Sequence, residues 1–225
     1  MDGEFKRKTM IKNIEKKIDY KIYKKEKLSK YSWFNLGGPA ELFFRPNSIL
    51  ELQSFLKQNN KKIHIIGAGS NTLIRDGGLQ GVTIKLSSKF STIKKLEDNI
   101  IEVGSSTLDR KISDFATENS LGGMEFLSCI PGSIGGGVKM NSGCYGDDIS
   151  KILLSIDVID EKGKVITLLN NQINFKYRGC DLPDNLIILN VKLKGYNSNK
   201  NEVKKKQIEL IEKKKKSQPS QIKTC

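Results

Sequence analysis

The segment Ile65-Ile66-Gly67-Ala68-Gly69-Ser70-Asn71-Thr72-Leu73-Ile74-Arg75-Asp76-Gly77-Gly78 runs a hydrophobic strand into a glycine loop that does not continue as a helix. Gly67-x-Gly69 begins like the G-x-G-x-x-G fingerprint of a dinucleotide-binding βαβ unit. Thr72, however, stands at the third glycine position, and Asp76-Gly77-Gly78 would break the helix that the fingerprint requires. No G-x-x-x-x-G-K-[ST] occurs, which excludes a P-loop at the level of motif. Two readings of Gly67–Asn71 remain. One is a tight turn between strands. The other is a nest of main-chain amides, opened by glycine, that holds phosphate oxygens without a helix dipole, with Ser70 and Asn71 as added donors.

A second glycine segment, Pro131-Gly132-Ser133-Ile134-Gly135-Gly136-Gly137, tips the balance toward the nest. Four glycines in seven residues weaken any regular element by up to about 1 kcal/mol each, so this stretch is expected to be irregular backbone that something approaches closely. A planar ring lying against it fits, and the two segments together point to a bound dinucleotide such as FAD. Asn141, Ser142 and Tyr145 are either polar neighbours of such a ring or plain turn residues. Arg178, in a loop before the final strand, either forms a surface salt bridge or holds an anionic substrate.

Composition narrows the alternatives. At 225 residues and 37% apolar, the chain can bury a core of one or two domains. Its net charge of +14 is concentrated at the ends: residues 1–30 carry 11 basic and 5 acidic side chains, residues 200–225 carry 9 and 3, and the centre is nearly neutral. Only five of the 39 basic residues are Arg, so no duplex-binding stripe is expected and no nucleic-acid partner. Cys129, Cys144, Cys180 and Cys225 are widely spaced and His64 is the only histidine, which supports neither a zinc site nor a thiol nucleophile and fits reduced thiols in the cytoplasm. Charge interrupts Ile11–Lys30 every few residues, so no signal peptide or membrane anchor is expected.

The periodicity predicts a mobile arm or surface helix over 1–30, a strand over 41–45, and a helix opened by a capping box at Ser48-Ile49-Leu50-Glu51 with Ile49, Leu52, Phe55 and Leu56 on one face. Strands follow at 62–66, 82–86 and 100–103. A helix over 107–120 uses Leu108, Ile112, Phe115 and Ala116 and stops at Gly122-Gly123. Residues 152–160 and 165–169 form a hairpin about Glu161-Lys162-Gly163-Lys164, 186–193 a strand, and 201–216 a charged helix with Val203, Leu210 and Ile211 on its apolar stripe.

Five segments carry a resemblance. Trp33-Phe34-Asn35-Leu36-Gly37-Gly38-Pro39-Ala40-Glu41, Gly67-Ala68-Gly69-Ser70-Asn71, Ile130-Pro131-Gly132-Ser133-Ile134-Gly135-Gly136, Met140-Asn141-Ser142-Gly143-Cys144-Tyr145-Gly146 and Phe175-Lys176-Tyr177-Arg178 occur in the order and spacing of the UDP-N-acetylenolpyruvoylglucosamine reductases. The resemblance implies an α+β, two-subdomain FAD-binding fold of the vanillyl-alcohol-oxidase (PCMH) type. It divides the chain into a basic N-terminal arm (1–30), FAD-binding subdomain 1 (31–90), FAD-binding subdomain 2 (91–199), and a charged helix with the start of a substrate domain (200–225). It also implies a cytoplasmic enzyme of peptidoglycan precursor synthesis, in which NADPH is the hydride donor, FAD the cofactor and a UDP-sugar the substrate.

By motif, Gly67, Ala68, Gly69, Ser70 and Asn71 would hold the pyrophosphate, and Pro131, Gly132, Ser133, Gly135 and Gly136 would lie against the flavin. Arg178 would be the catalytic electrophile and Tyr177 would bind substrate beside it. The family's Gly-Ser-x-Phe-x-Asn-Pro segment, which carries the serine acid, does not follow Gln218-Pro219 here, and neither Ser217 nor Ser220 is assigned that role. The C-terminal substrate domain is therefore expected to be absent, or supplied as a separately encoded piece, and the chain alone is expected to bind FAD weakly or not at all and to turn over no substrate. The competing expectation is a non-catalytic flavin-binding module.

Overall fold

The structure, a computed structural model, describes residues 20–218; the Lys-rich stretch 1–19 and the segment with Ser220 and Cys225 lie outside the described residues. The chain first builds a four-stranded sheet from β1 (Ile22–Lys27), β2 (Pro39–Phe44), β3 (Ile63–Ile65) and β4 (Leu79–Ile84), in the order β1-β2-β4-β3. β2, β4 and β3 are parallel, β1 is antiparallel to β2, and helix α1 (Ile49–Leu56) crosses over between β2 and β3. The strand Ile22–Lys27 replaces the arm or surface helix expected there. Pairing with β2 overrides its lysine content, and its exposed, charged positions suit an edge strand.

A second sheet follows from β5 (Ile93–Lys95), β6 (Ile100–Gly104), β7 (Leu153–Ile159), β8 (Val165–Leu169) and β9 (Ile187–Lys194), all antiparallel, in the order β8-β7-β9-β6-β5. Helices α2 (Asp109–Glu118) and α3 (Ile134–Lys139) come between β6 and β7, and α4 (Lys200–Ser217) follows β9. The hairpin β7–β8 turns at Gly163 with φ +78°, as the sequence expects.

Alternation along β2 joins the two halves. Adjacent side chains on a strand face opposite ways, so Phe44 enters a cluster with Leu52, Phe55 and Ile84 that also takes Ile159, Ile187 and Leu189 from the second sheet. Phe43 points to the other face, where it packs with Leu28, Ala40, Ile66 and Ile74 under the glycine loop and stacks on Tyr31 at 4.8 Å. A larger core lies between the second sheet and α2 and α3, with Ile101, Ile112, Phe126, Ile134 and Val191 fully enclosed.

Three local expectations need correction. Ser48 accepts a hydrogen bond from the Glu51 amide at 3.1 Å, but the Glu51 carboxylate reaches back to the Asn47 amide, and Ile49 at the first turn stays exposed. Helix α2 begins after Leu108, which is exposed. It ends at Asn119, and Ser120 (φ +57°) makes the reversal instead of Gly122-Gly123, which lie flat beneath the Tyr196 ring. The second glycine segment is no irregular loop, because Gly135, Gly136 and Gly137 all belong to α3. There the low helix propensity of glycine is overridden by close approach: the Gly135 amide donates to the Ser105 carbonyl at 2.9 Å, and a Cβ on Gly135 would stand 3.0 Å from that of Ser105.

Phe44→Ala should lower the unfolding free energy by about 3–5 kcal/mol, because it empties the cluster shared by both sheets. Leu50→Ala, on the exposed side of α1, should stay within about 0.5 kcal/mol of the parent. Urea denaturation followed by far-UV circular dichroism checks both.

Candidate functional site

Parallel strands place their carboxyl ends together, and ligands in such sheets bind just outside those ends. β2, β4 and β3 therefore bring Arg45, Lys85 and Gly67 to one edge. From Gly67 to Leu73 no main-chain N–H finds an acceptor among the described residues, and no helix follows. Gly69, at φ +73°, is used for packing: a Cβ there would overlap the Tyr31 carbonyl, and the Gly69 carbonyl accepts from the Trp33 amide at 2.9 Å.

The second glycine segment meets this loop directly. A Cβ on Gly67 would stand 2.7 Å from the Ser133 hydroxyl, and one on Gly132 would stand 3.7 Å from that of Ser70. The Gly132, Ser133 and Gly136 amides likewise lack acceptors among the described residues, and the Cβ position of Gly136 faces open space. Ser133 Oγ, Ser105 Oγ and Ser32 Oγ are buried without a hydrogen-bond partner. Buried polar groups are almost always paired, so a face rich in orphaned donors and bare of side chains fits a dinucleotide: phosphate oxygens on the amides, and a ring over Gly136.

At the other end of α3 stands Arg178. Lys176-Tyr177-Arg178-Gly179 is a two-residue hairpin turn between the short strands Phe175–Lys176 and Gly179–Cys180, with Arg178 at φ +58°. Asn141 Nδ2 donates to the Lys176 carbonyl at 3.3 Å, and the Cys180 thiol to the Lys139 carbonyl at 3.4 Å, which docks the turn on the helix end. Arg178 donates to the Gly143 carbonyl at 3.2 Å, stacks on Tyr177 at 5.3 Å, and pairs with no carboxylate among the described residues. Tyr177 is 88% exposed.

Asn141, Ser142 and Tyr145 each make contacts that hold the local backbone. Asn141 also accepts from the Ser150 amide, Ser142 bonds Gly137 and Ile149 through its main chain, and Tyr145 contacts Ser217 under Lys213 of α4.

Several site residues escaped sequence reasoning. The Lys85 ammonium bonds the Gly67 carbonyl; burial lowers its pKa, and so does neighbouring Arg45. Asp109, the first residue of α2, lies fully buried against Gly132 and Gly137 with neither carboxyl oxygen bonded, and burial pushes its pKa up to about 8. Cys129, already named from the sequence, has its thiol pKa lowered by neighbouring Cys144 and Ser128. Lys85 did offer one signal, a charge at the first position past an apolar strand. The others depend on contacts distant in sequence.

Comparison with known proteins fits this geometry. A model of the FAD binding domain matches residues 40–169. The chain is 46% identical over 216 residues to the UDP-N-acetylenolpyruvoylglucosamine reductase of Pelagibacter ubique, covering 95% of this chain and 72% of that protein. The chain belongs to the UDP-N-acetylenolpyruvoylglucosamine reductase family. The reductase of Rickettsia canadensis is 49% identical over 170 residues, but the match spans only 57% of its length and 74% of this chain. The solved UDP-N-acetylenolpyruvylglucosamine reductase of Thermus caldophilus superposes with a TM-score of 0.77 at 28% identity, covering 90% of this chain and 71% of that one. The fold is thus the α+β FAD-binding type expected, within a family of oxidoreductases. Among the described residues no helix is long and apolar enough to cross a membrane.

Asp109 gives this family member a pH signature. Its folded pKa, about 8, lies above the unfolded carboxyl value near 3.9. Between those values the folded state keeps a proton that the unfolded chain has lost, so stability falls as pH rises, by up to about 1.4 kcal/mol per unit. Asp109→Asn abolishes that slope. Its stability relative to the parent should climb from about pH 4 to pH 8 and level off beyond, as read by urea midpoints across pH.

Proposed function

We propose that this chain supplies the flavin-holding half of an FAD-dependent, NADPH-linked reduction of UDP-N-acetylenolpyruvoylglucosamine to UDP-N-acetylmuramate, a cytoplasmic step of peptidoglycan precursor synthesis. The observation that carries this reading is the meeting of Gly67 with Ser133, which makes one face of two glycine segments. FAD, when bound, supplies hydride transfer between NADPH and the enolpyruvyl double bond.

The chain's own residues bind and orient. Amides of Gly67, Ala68, Gly69, Ser70 and Asn71 take the diphosphate, while Pro131, Gly132, Ser133, Gly135 and Gly136 present bare backbone to the flavin. Arg178 steadies the negative charge that develops on the substrate's carboxyl side as an enolate forms, and Tyr177 lies against the sugar substrate. Residues 31–90 and 91–199 act as the two halves of this site. Residues from 200 onward begin the part that carries the UDP-sugar, and the serine acid and substrate domain come from beyond these 225 residues or from a separate chain.

All cradle residues lie within the described span, so, in place of the weak or absent binding expected from the sequence, the chain should bind FAD, and it should not turn over. UDP-sugar-dependent oxidation of NADPH should appear only when the C-terminal region of a relative, such as the Rickettsia canadensis reductase, is joined after residue 218. In that fusion Arg178→Ala should lower kcat roughly 10²–10³-fold with flavin content unchanged. Family-like turnover by the 225 residues alone, or an Arg178→Ala fusion as active as its parent, overturns the assignment.

A further inference from the structure

Two cations stand side by side at the sheet edge with no acid between them. The Lys85 amide donates to the Phe44 carbonyl at 3.0 Å, which fixes Lys85 beside Arg45 across the β2–β4 ladder. Neither side chain forms an ion pair among the described residues. The Lys85 ammonium is half-buried and leans over the Tyr31 ring, 6.0 Å from its centre, while bonding the Gly67 carbonyl. Arg45 lines one cleft of about 510 Å³ and Lys85 another of about 330 Å³, the second also lined by Ser32, Trp33 and Ala68.

Like charges brought together on rigid strand ends oppose folding unless an anion joins them, and the unbonded amides from Gly67 to Leu73 begin at the residue that Lys85 touches. We propose that Lys85 and Arg45 are the charged half of a diphosphate site whose neutral half is the Gly67–Leu73 amide row. The flavin reading identifies the diphosphate as that of FAD, and the inference rests on it for that identity alone. UDP and ADP carry the same group, so the test separates the sources.

The chain is titrated calorimetrically with FAD, ADP, UDP, inorganic pyrophosphate and riboflavin, the last lacking phosphate. The proteins are the parent, Lys85→Met, Lys85→Arg and Arg45→Met; Arg45 is exposed, so its substitution leaves folding intact. Each Met variant should weaken FAD and ADP about 10- to 100-fold, flatten the salt dependence, and leave riboflavin unchanged, whereas Lys85→Arg keeps most of the affinity. FAD bound equally by parent and both Met variants, or riboflavin weakened as much as FAD, overturns the charge assignment and leaves the flavin reading standing. Pyrophosphate, ADP or UDP binding that depends on both cations while FAD binds no tighter than these keeps the anion site and overturns the flavin reading. A parent that binds none of the probes overturns both.

Discussion

A Cβ at residue 67 would stand 2.7 Å from the Ser133 hydroxyl, so the bare position lets the two glycine segments meet with that hydroxyl in place. Much else depends on this contact. Gly67 lies two residues past the end of β3 in the parallel sheet, and Ser133 is the cap position just before the helix that packs on the antiparallel one. The Phe44 cluster holds the two sheets together in the core, but it is the Gly67–Ser133 meeting that makes their rims one surface. The result is a run of amides without acceptors beside hydroxyls without partners.

The two classes of orphan differ in what they cost. The loop amides sit near exposed positions such as Gly67, Asn71 and Leu73, where solvent satisfies them. Ser133 and Asp109 are enclosed and have no such recourse, and each unsatisfied group carries a penalty of about 1–3 kcal/mol. Asp109 lowers its share by holding a proton to about pH 8, which keeps a negative charge out of the enclosed space against Gly132 and Gly137. The electrostatics are therefore consistent from three directions: cations at the strand ends, amides in the loop, and a neutralised acid beneath.

Much of this was legible from the chain alone, and the failures share a cause. Helix α1, the β7–β8 hairpin and the helix-free glycine loop follow from local signals: a cap, a turn residue and a strand period. The glycine helix α3 did not, since propensity argues against it and only the approach of Ser105, thirty residues earlier, favours it. β1 reads as a charged arm until β2 offers it a partner. Lys85 and Arg45 are forty residues apart and become neighbours only through a parallel ladder, a pairing that no periodicity encodes. The resemblance located the motif residues, but it left these cations and Asp109 unmarked because they lie outside every matched segment.

The glycine helix also sets a length. Six residues at 1.5 Å each make α3 about 9 Å long, with Ser133 at one end and the Arg178 turn docked on the other. A ligand anchored at the first end has that much backbone-lined surface to cross before it meets the Arg178 turn, a span that a phosphate joined to a planar ring covers. Arg178 reaches that point from a left-handed backbone, a conformation costing a non-glycine residue roughly 1–2 kcal/mol. The second central position of a two-residue turn calls for that conformation, and the guanidinium bonds the Gly143 carbonyl with no carboxylate beside it among the described residues. The turn therefore accounts for the left-handed residue by itself, and docking it on α3 leaves a guanidinium at the helix end that no acid among the described residues neutralises.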